Sequence, residues 1–479
     1  MTSTTVPLTG AAPRIPLRAA IAGAAAVAAA LGISEFLAGL LPGATSLVAA
    51  VGQVVIDLQP PGAKDVVVAL FGTNDKLALE VFVTVVSLGL GALFGLLATR
   101  RFWLGGAGFV AFGLLGFVAA LGDPLANPAL VAAQTGLSVG LGLQVLSWLL
   151  AVLATNVSDG RAGHARSDPA RRSFLLRAGA VGIGALAAGF AGRSLLERAR
   201  IAPAGAAAAI PPASAVVEGL VSAHDLAPAT PELTPIVMPN DRFYRIDTSL
   251  IVPSVDTASW NLRIHGLVDR ETVLSWPELL NLPLFEQYVT IACVSNEVGG
   301  NLVGNAKWTG VKLRDVLEIA GVQTAATQLV GRSVDGWTAG MPTAWVMDPA
   351  REPMIAVRMN DEPLPPAHGY PARLIVPGLY GYVSATKWLA ELELTTLEGF
   401  NGYWVPLGWA KEAPILTQSR IDTPGGMVKA GRVPIAGLAW APDRGVQKVE
   451  VEIDGTWHEA TLSKPLSDST WVQWLVAWD

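Results

Sequence analysis

Long apolar runs fill the first two hundred residues of the chain, whereas charged residues, Trp and Pro reach ordinary globular levels from about residue 210 onward. A run of about 18 or more apolar residues is long enough to cross a hydrocarbon core of roughly 30 Å. Five runs reach that length, and they cover residues 19–41, 77–98, 102–121, 129–154 and 174–191. The pattern therefore predicts an all-α transmembrane domain of about five helices over residues 1–200.

A shorter apolar run covers residues 44–58, contains Asp57 and ends at Pro60-Pro61. It is too short for a sixth span. We therefore expect a re-entrant or interfacial segment at residues 44–60.

Basic residues are concentrated in alternate short loops, and this bias predicts the orientation in a membrane. Arginines precede the first run, separate the second from the third, and separate the fourth from the fifth. The other loops hold only Lys64 and Lys76. Five crossings with this bias place the N-terminus in the cytoplasm and everything after the fifth helix outside a bacterial cell membrane, in contact with membrane lipid.

The start of the last predicted helix reads Arg171-Arg172-Ser-Phe-Leu-Leu, which resembles a twin-arginine export motif. The alternative interpretation is a pair of ordinary anchoring arginines. The predicted helices contain no histidine, which excludes a bis-histidine haem within the bilayer. Glu35, Gln134 and Gln144 are polar groups at membrane depth, where such groups are functional candidates, and interhelical hydrogen bonding is the alternative.

The second half of the chain reads as three segments after a linker. Residues 201–234 begin with an Ala- and Pro-rich stretch typical of a tether. Residues 235–400 alternate short strands with isolated helices, which indicates an α+β domain. Strands are predicted at residues 244–252, 259–264, 354–359, 372–376 and 387–395, and a helix ends before Gly321. A connecting segment, residues 401–430, leads to a wholly β segment, residues 431–479, which is typical of a sandwich.

Charge and cysteine content narrow the function classes. The net charge is −6, so we expect no nucleic-acid partner, because such a surface needs concentrated positive charge. The chain has one cysteine, Cys293, which excludes an intramolecular disulfide and a multi-cysteine zinc or iron–sulfur site.

Cys293 ends an apolar strand and precedes a polar, glycine-containing loop, a position from which a side chain can be presented into a cleft. The alternative is a small buried apolar residue. His368, Arg373 and Lys387 also lie near predicted strand ends, where they would suit an oxyanion or a phosphate. Taken singly, each could instead be a solvated loop charge.

Several motifs in register resemble the molybdenum-cofactor domain of the sulfite oxidase family over residues 235–396. They are NDRFYRIDT, CVSNEVGG, NAKWTGVKLRDVLEIAGV, MNDEPLPPAHGYPARLIVPGLYGY and TKWL. The segment after residue 431 is similar to the family's immunoglobulin-like dimerisation domain, although it lacks the last strands. The resemblance therefore implies a multi-domain protein with an incomplete immunoglobulin-like sandwich and a possible homodimer.

The resemblance also implies a molybdenum–molybdopterin cofactor, with Cys293 as the thiolate ligand to the metal. Seven positions match cofactor-binding residues: Asn240, Tyr244, Arg245, Ser333, His368, Arg373 and Lys387. Arg245 would also bind the substrate, and Trp409 would form a wall of the pocket. Trp409 stands where the sulfite-oxidising members have a tyrosine, so the phenol expected there is missing.

The implied activity is a two-electron oxygen-atom transfer on a small-molecule substrate, an oxo compound of sulfur or nitrogen. Oxidation of sulfite-like anions and reduction of methionine sulfoxide or related S-oxides both remain open. A membrane-anchored module that binds a partner without catalysis is a third possibility. The electron partner is a quinone or a separate redox protein.

Overall fold

The computed structural model describes residues 14–60, 62–71, 74–158, 169–199 and 210–479. The described chain divides into two compact units, with the boundary between Ala199 and the residue that follows it. The first unit is helical and the second is rich in β-sheet. The predicted loop arginines at positions 161 and 166, and residues 201–209 of the predicted linker, lie outside the described residues.

The first unit contains long apolar helices joined by short ones. Its described helices are α1 (Arg14–Leu40), α2 (Leu47–Asp57), α3 (Ala63–Phe71), α4 (Asp75–Arg100), α5 (Phe102–Ala120), α6 (Pro128–Ser158) and α7 (Pro169–Ala199). Five of them, α1 and α4 to α7, are long and apolar enough to cross a membrane, which confirms the predicted number. The segment expected to be re-entrant or interfacial forms α2, whose 11 residues are too few to span.

Glycines let the long helices of the first unit approach closely. A Cβ added at Gly23 would lie 2.0 Å from the carbonyl oxygen of Gly91, and one at Gly39 would lie 2.2 Å from that of Gly192. Such contacts between α1 and its neighbours are possible only with small residues, as in other membrane bundles. The Gln134 amide donates to the Ser34 hydroxyl at 3.0 Å, so this polar group ties α6 to α1.

The second unit contains sixteen described strands and four short α-helices. The strands of its first part are β1 (Asn261–Gly266), β2 (Thr272–Ser275), β3 (Leu284–Ala292), β4 (Val303–Lys312), β5 (Gln328–Ser333), β6 (Thr338–Pro342), β7 (Met354–Met359), β8 (Glu362–Pro363), β9 (Arg373–Ile375) and β10 (Leu389–Thr395). The helices are α8 (Trp276–Leu280), α9 (Leu313–Ala320), α10 (Thr343–Val346) and α11 (Gly381–Ser384).

Two sheets form this first part. One has the order β2-β1-β10-β5-β6, with β1 and β10 parallel, and the other has the order β3-β4-β7-β8 with β9 also paired to β7. Their apolar faces and α9 share one core, whose fully buried members include Leu262, Leu313 and Leu392. The mixed architecture confirms the predicted α+β domain, and β7 begins and ends where the sequence placed it.

Two expectations from the sequence need correction. Residues 244–252 contain β-branched residues but form no strand, and Arg245 instead bonds Asp247 two positions along the chain. Side-chain bonds of this local kind compete with a β ladder. The predicted linker also differs, because Ile210 is buried in the core and Ala215 forms a β-bridge with Phe285.

The last strands continue the same unit. They are β11 (Gln418–Thr423), β12 (Val433–Trp440), β13 (Glu450–Ile453), β14 (Thr456–Glu459), β15 (Thr461–Leu462) and β16 (Val472–Trp478). Four of them form the antiparallel sheet β11-β12-β16-β15, and β13 and β14 form a hairpin. Trp471, next to β16, is fully buried in the main core, and its indole N–H donates to the carbonyl of Ile236 at 2.7 Å.

Candidate active site

Cys293 is held at the rigid end of β3. Its N–H donates to the carbonyl of Leu302 at 2.9 Å, and its own carbonyl accepts from the N–H of Asn296 at 3.1 Å. The Asn296 side chain closes the loop by accepting from the N–H of Leu302 at 2.8 Å. The thiol is free and only 9% of the residue is exposed. The loop therefore fixes the backbone that carries this sulfur.

His368 presents an unpaired acceptor to the site. Its Nε2 lies 3.1 Å from the carbonyl oxygen of Asn240, while its Nδ1 is buried without a hydrogen-bond partner. Burial lowers the pKa of His368 to about 3, and the charges of Lys387 and Arg373 act in the same direction. The ring is therefore neutral at physiological pH. Because Nε2 must carry the proton to donate to Asn240, Nδ1 is left to accept a bond from a ligand.

Arg373 is a buried cation whose hydrogen-bond partners are carbonyl oxygens. Nη1 donates to His368 at 3.0 Å and Nη2 lies 3.5 Å from the carbonyl of Ala385, whereas Nε has no partner. The guanidinium also lies over the ring of Trp308, at 5.2 Å from its centroid. Burial lowers the pKa of Arg373 to about 10, so the group stays charged. A buried cation bonded to carbonyls is suited to an anionic ligand.

Lys387 and Arg245 share one carboxylate. Asp247 Oδ2 lies 3.0 Å from Lys387 Nζ and 2.8 Å from Arg245 Nε, and Lys387 also donates to the carbonyl of Ala367 at 3.0 Å. The Asp247 side chain is 6% exposed and that of Lys387 is 10% exposed. Burial lowers the pKa of Lys387 to about 8, and the negative charge of Asp247 opposes that shift. Asp247 was not among the residues predicted from the sequence, although it lies within the motif NDRFYRIDT.

A second carboxyl group, also missed from the sequence, lies near this cluster. Burial raises the pKa of Asp335, and the negative charge of Asp247 acts in the same direction. Hydrogen bonds from the Ser333 hydroxyl and the Trp337 N–H lower it, as does the positive charge of Lys387. Ser333 itself is buried at the end of β5. Because Asp335 interacts with Ser333, Asp247 and Lys387, the four residues lie close together in the structure.

Two of the predicted residues come from the segment before the first sheet. Burial raises the pKa of Tyr244, the charge of Cys293 acts in the same direction, and the charge of Arg373 opposes it, so this phenol lies near both groups. The Asn240 side chain is used within the protein. Its amide donates to Met359 at 3.1 Å and to Glu362 at 3.0 Å, and its oxygen accepts from Asn360 at 2.8 Å. Only its backbone carbonyl contacts another predicted site residue, His368.

Gly369 allows the chain to pass between the cations. Its φ is +110°, and an added Cβ would lie 3.1 Å from the Cβ of Arg373 and 3.2 Å from the Cα of Lys387. A side chain here would be strained in the backbone and would press on both residues. Glycine is therefore part of the geometry of the site.

Trp409 belongs to an aromatic cluster at the surface. Its ring centroid lies 5.4 Å from that of Tyr382 and 6.2 Å from that of Trp404. Tyr382 stands on α11, and a Cβ added at Gly381 of that helix would lie 3.7 Å from the carbonyl oxygen of Ala292, one residue before Cys293. The phenol of Tyr382 donates to the carbonyl of Ala410 at 2.9 Å. A phenol is therefore present beside Trp409, on a helix that adjoins the cysteine strand.

The chain is similar in sequence to a family of known proteins. A protein-family profile described as "Oxidoreductase molybdopterin binding domain" matches residues 249–404. The uncharacterized oxidoreductase YuiH of Bacillus subtilis is 35% identical over 154 residues, which are 32% of this chain and 74% of that protein. Human mitochondrial sulfite oxidase is 31% identical over 288 residues, covering 50% of this chain and 52% of that protein.

Among solved structures, the sulfane dehydrogenase SoxCD of Paracoccus pantotrophus is similar with a TM-score of 0.45 and 24% identity, covering 51% of this chain and 69% of that chain. The chain spans about half the length of the mammalian sulfite oxidases that it matches. The family profile and the sequence relatives, together with the site, define the class: a protein with an oxidoreductase-type molybdopterin-binding domain. The chain belongs to the sulfite oxidase-like family, whose members imply a molybdenum–molybdopterin cofactor.

Proposed function

We propose that the protein is a membrane-anchored molybdenum oxidoreductase that transfers an oxygen atom to or from a small sulfur or nitrogen oxo compound, with its second unit outside the cytoplasm. The observation that carries the proposal is a set of buried, incompletely paired polar groups that share a neighbour, Tyr244, with the single thiol. Arg373 Nε and His368 Nδ1 are both buried without partners. Native proteins pair nearly all such groups, so a ligand with an anionic part and N–H donors would complete them.

The residues present fit molybdopterin in this way. We assign Arg373 and Lys387 to the phosphate, because both are cationic and poorly accessible to water. We assign His368 Nδ1 to an N–H of the pterin and the Cys293 sulfur to the metal, since a soft thiolate suits a molybdenum dithiolene. When bound, the cofactor supplies the two-electron change and the oxygen-atom transfer, while the protein orients it and shapes the pocket.

Arg245 and Trp409 are proposed to face the substrate. The Arg245 guanidinium is 37% exposed and already contacts Asp247 through two nitrogens, at 2.8 and 3.3 Å. Asp247 also pairs with Lys387, so two cations share one carboxylate and the group keeps a net positive charge, which suits an anionic or polar oxo substrate. Oxidation of sulfite-like anions is therefore the first candidate. Trp409, which stands in place of the expected phenol, favours a reductase of methionine sulfoxide or related S-oxides as the second.

Cys293→Ser tests the core of the proposal. We expect the variant to lose turnover and to show a changed molybdenum spectrum, because the oxygen of serine is a harder and weaker ligand. Ser384→Ala, a buried hydroxyl change on α11, is the matched control and should keep both properties. An unchanged spectrum with full turnover in the Cys293→Ser protein would falsify the assignment.

A substrate screen separates the alternatives. Sulfite with a soluble electron acceptor measures the oxidase, and methionine sulfoxide with a reduced viologen measures the reductase. Purified protein that contains no molybdenum and turns over neither substrate would instead support a non-catalytic binding module.

A further inference from the structure

The loop that carries Cys293 is contacted by a side chain of the C-terminal sheet. This cysteine loop, residues 293–302, joins β3 to β4, and its tip faces solvent, because Val298 is fully exposed. Arg420 on β11 donates from Nη1 to the carbonyl of Gly300 in the loop, at 2.7 Å. The two residues are 120 positions apart, so the contact exists only in the folded unit. A charge-assisted bond of this length restrains the loop from outside.

The guanidinium of Arg420 is itself fixed by two further partners. Nε donates to Asp422 Oδ1 at 2.7 Å, and Nη2 donates to the Thr234 hydroxyl at 2.7 Å. Asp422 Oδ2 accepts from the N–H of Thr234 at 3.0 Å, which closes the network. The side chains of Arg420 and Asp422 are 10% and 7% exposed, so water has little access to this ion pair. Because the guanidinium is planar, these bonds set the direction in which Nη1 points.

Gly300 is linked to the cysteine through the packing of the loop. Its N–H donates to the carbonyl of Glu297 at 2.8 Å, and an added Cβ would lie 2.7 Å from Asn296 Oδ1. The same Asn296 oxygen accepts from the N–H of Leu302, whose carbonyl accepts from the N–H of Cys293. Because closely packed groups transmit displacements, a shift of Gly300 would press on Asn296 and disturb the hydrogen bond of Cys293.

We propose that Arg420 is a positioning residue for the metal ligand. Through the carbonyl of Gly300, it keeps the cysteine loop in the conformation in which the Cys293 sulfur binds molybdenum. The inference rests on the proposed function, which supplies the metal. The competing explanation is that Arg420 only joins β11 to the segment around Thr234 and adds stability without affecting the loop. The behaviour of Cys293 distinguishes the two.

The first measurement is the rate at which iodoacetamide alkylates Cys293, which is the only cysteine of the chain. The variant Arg420→Met/Asp422→Asn removes one charge of each sign, so no buried charge is left uncompensated and ionisation of the thiol is little affected. Asparagine keeps an oxygen that can accept from the N–H of Thr234. In the full chain prepared in detergent without molybdenum, we expect alkylation to be about tenfold faster in the variant. The reason is that loss of a charge-assisted hydrogen bond makes opening of the loop more frequent.

The matched control is Arg351→Met/Asp443→Asn. That ion pair, 2.8 Å long, also joins the first part of the second unit to its C-terminal segment, but in the loops after α10 and β12. It should leave the alkylation rate within about twofold of that of the unaltered chain. Thermal unfolding of both variants measures the stability that each has lost, and a general loosening of the unit would accelerate alkylation in both.

The second measurement is the molybdenum(V) electron paramagnetic resonance spectrum of the metal-loaded chain. We expect the Arg420→Met/Asp422→Asn protein to show shifted or broadened lines and a lower kcat with an unchanged KM, because the metal–sulfur geometry changes while the groups that contact the substrate do not.

An unchanged alkylation rate, an equal increase in the control, or an unchanged spectrum would each overturn the inference. Molybdenum content is measured on the same samples. If the unaltered chain contains molybdenum and the variant alkylates no faster, only this inference fails. If the unaltered chain contains no molybdenum, the proposed function fails, and this inference fails with it.

Discussion

Asp247→Asn tests whether one carboxylate holds the cationic cluster together. Asp247 Oδ2 lies 3.0 Å from Lys387 Nζ, and both side chains are at most 10% exposed. Removing one partner of a buried ion pair costs about 3–5 kcal/mol, because the other charge is left uncompensated. Asparagine keeps an acceptor oxygen, so we expect the lower end, about 3 kcal/mol. For a unit of this size that loss lowers Tm by roughly 6–12 °C.

The assay is thermal unfolding followed by tryptophan fluorescence. All but two of the 15 tryptophans, Trp103 and Trp148, lie after residue 210, so the signal reports the second unit. Asp443→Asn is the matched control. That residue bonds Arg351 at 2.8 Å with both side chains more exposed, and such pairs contribute about 0–1 kcal/mol.

A double-mutant cycle identifies the partner. Lys387→Met removes the buried charge that Asp247 neutralises, so the double variant should be more stable than the sum of the single effects by about 2 kcal/mol. Additive losses, within roughly 0.5 kcal/mol, would refute the reasoning, because they would show that the pair does not act as a unit.

Three further predictions address acid stability, the glycine and export. The pKa of His368 is about 3 in the folded protein, below its ordinary 6.5, so the unfolded state binds more protons between these values. Stability should therefore fall as the pH drops from 6.5 toward 3, by on the order of 4–5 kcal/mol, and thermal unfolding of His368→Gln should lack this component. Gly369→Ala should lower the free energy of unfolding by about 2 kcal/mol because of its positive φ, whereas Gly426→Ala, with nothing near its Cβ, should have little effect in the same thermal assay. Changing Arg171 and Arg172 to Lys should leave the second unit protected from protease added outside bacterial cells, and normal export of that variant would contradict the twin-arginine interpretation.

The five long apolar helices could be predicted from the sequence because one physical requirement, the length needed to cross a hydrocarbon core, separates them from shorter helices. The same length requirement distinguished α2, with 11 residues, from the five longer helices. Residues 244–252 were harder, because β-branched residues such as Ile246 and Ile251 favour a strand while the charges beside them bond locally. Local side-chain bonds such as that of Arg245 with Asp247 accompany the absence of a strand there, and hydrophobic periodicity gives no information about such bonds.

Site residues that lie within the sequence motifs could be predicted. Ion pairs between residues far apart in the chain could not. The sequence pointed to His368, Arg373 and Lys387 because they lie near strand ends. Asp247 was missed because its partner Lys387 is 140 positions away, and only folding shows that the two meet. Similarly, the sequence indicated a missing phenol at Trp409, whereas Tyr382 reaches that ring from a different element.

The burial of Trp471 bears on the order of events during synthesis. Its indole N–H donates to the carbonyl of Ile236 at 2.7 Å, and its backbone N–H donates to the hydroxyl of Thr290 on β3 at 2.8 Å. Because β16 is made after every other described strand, the ribosome must release that region before the core around the cysteine strand can close. Under the proposed function, the cofactor can therefore be enclosed only after β16 has been made, and export of the folded unit would follow that step.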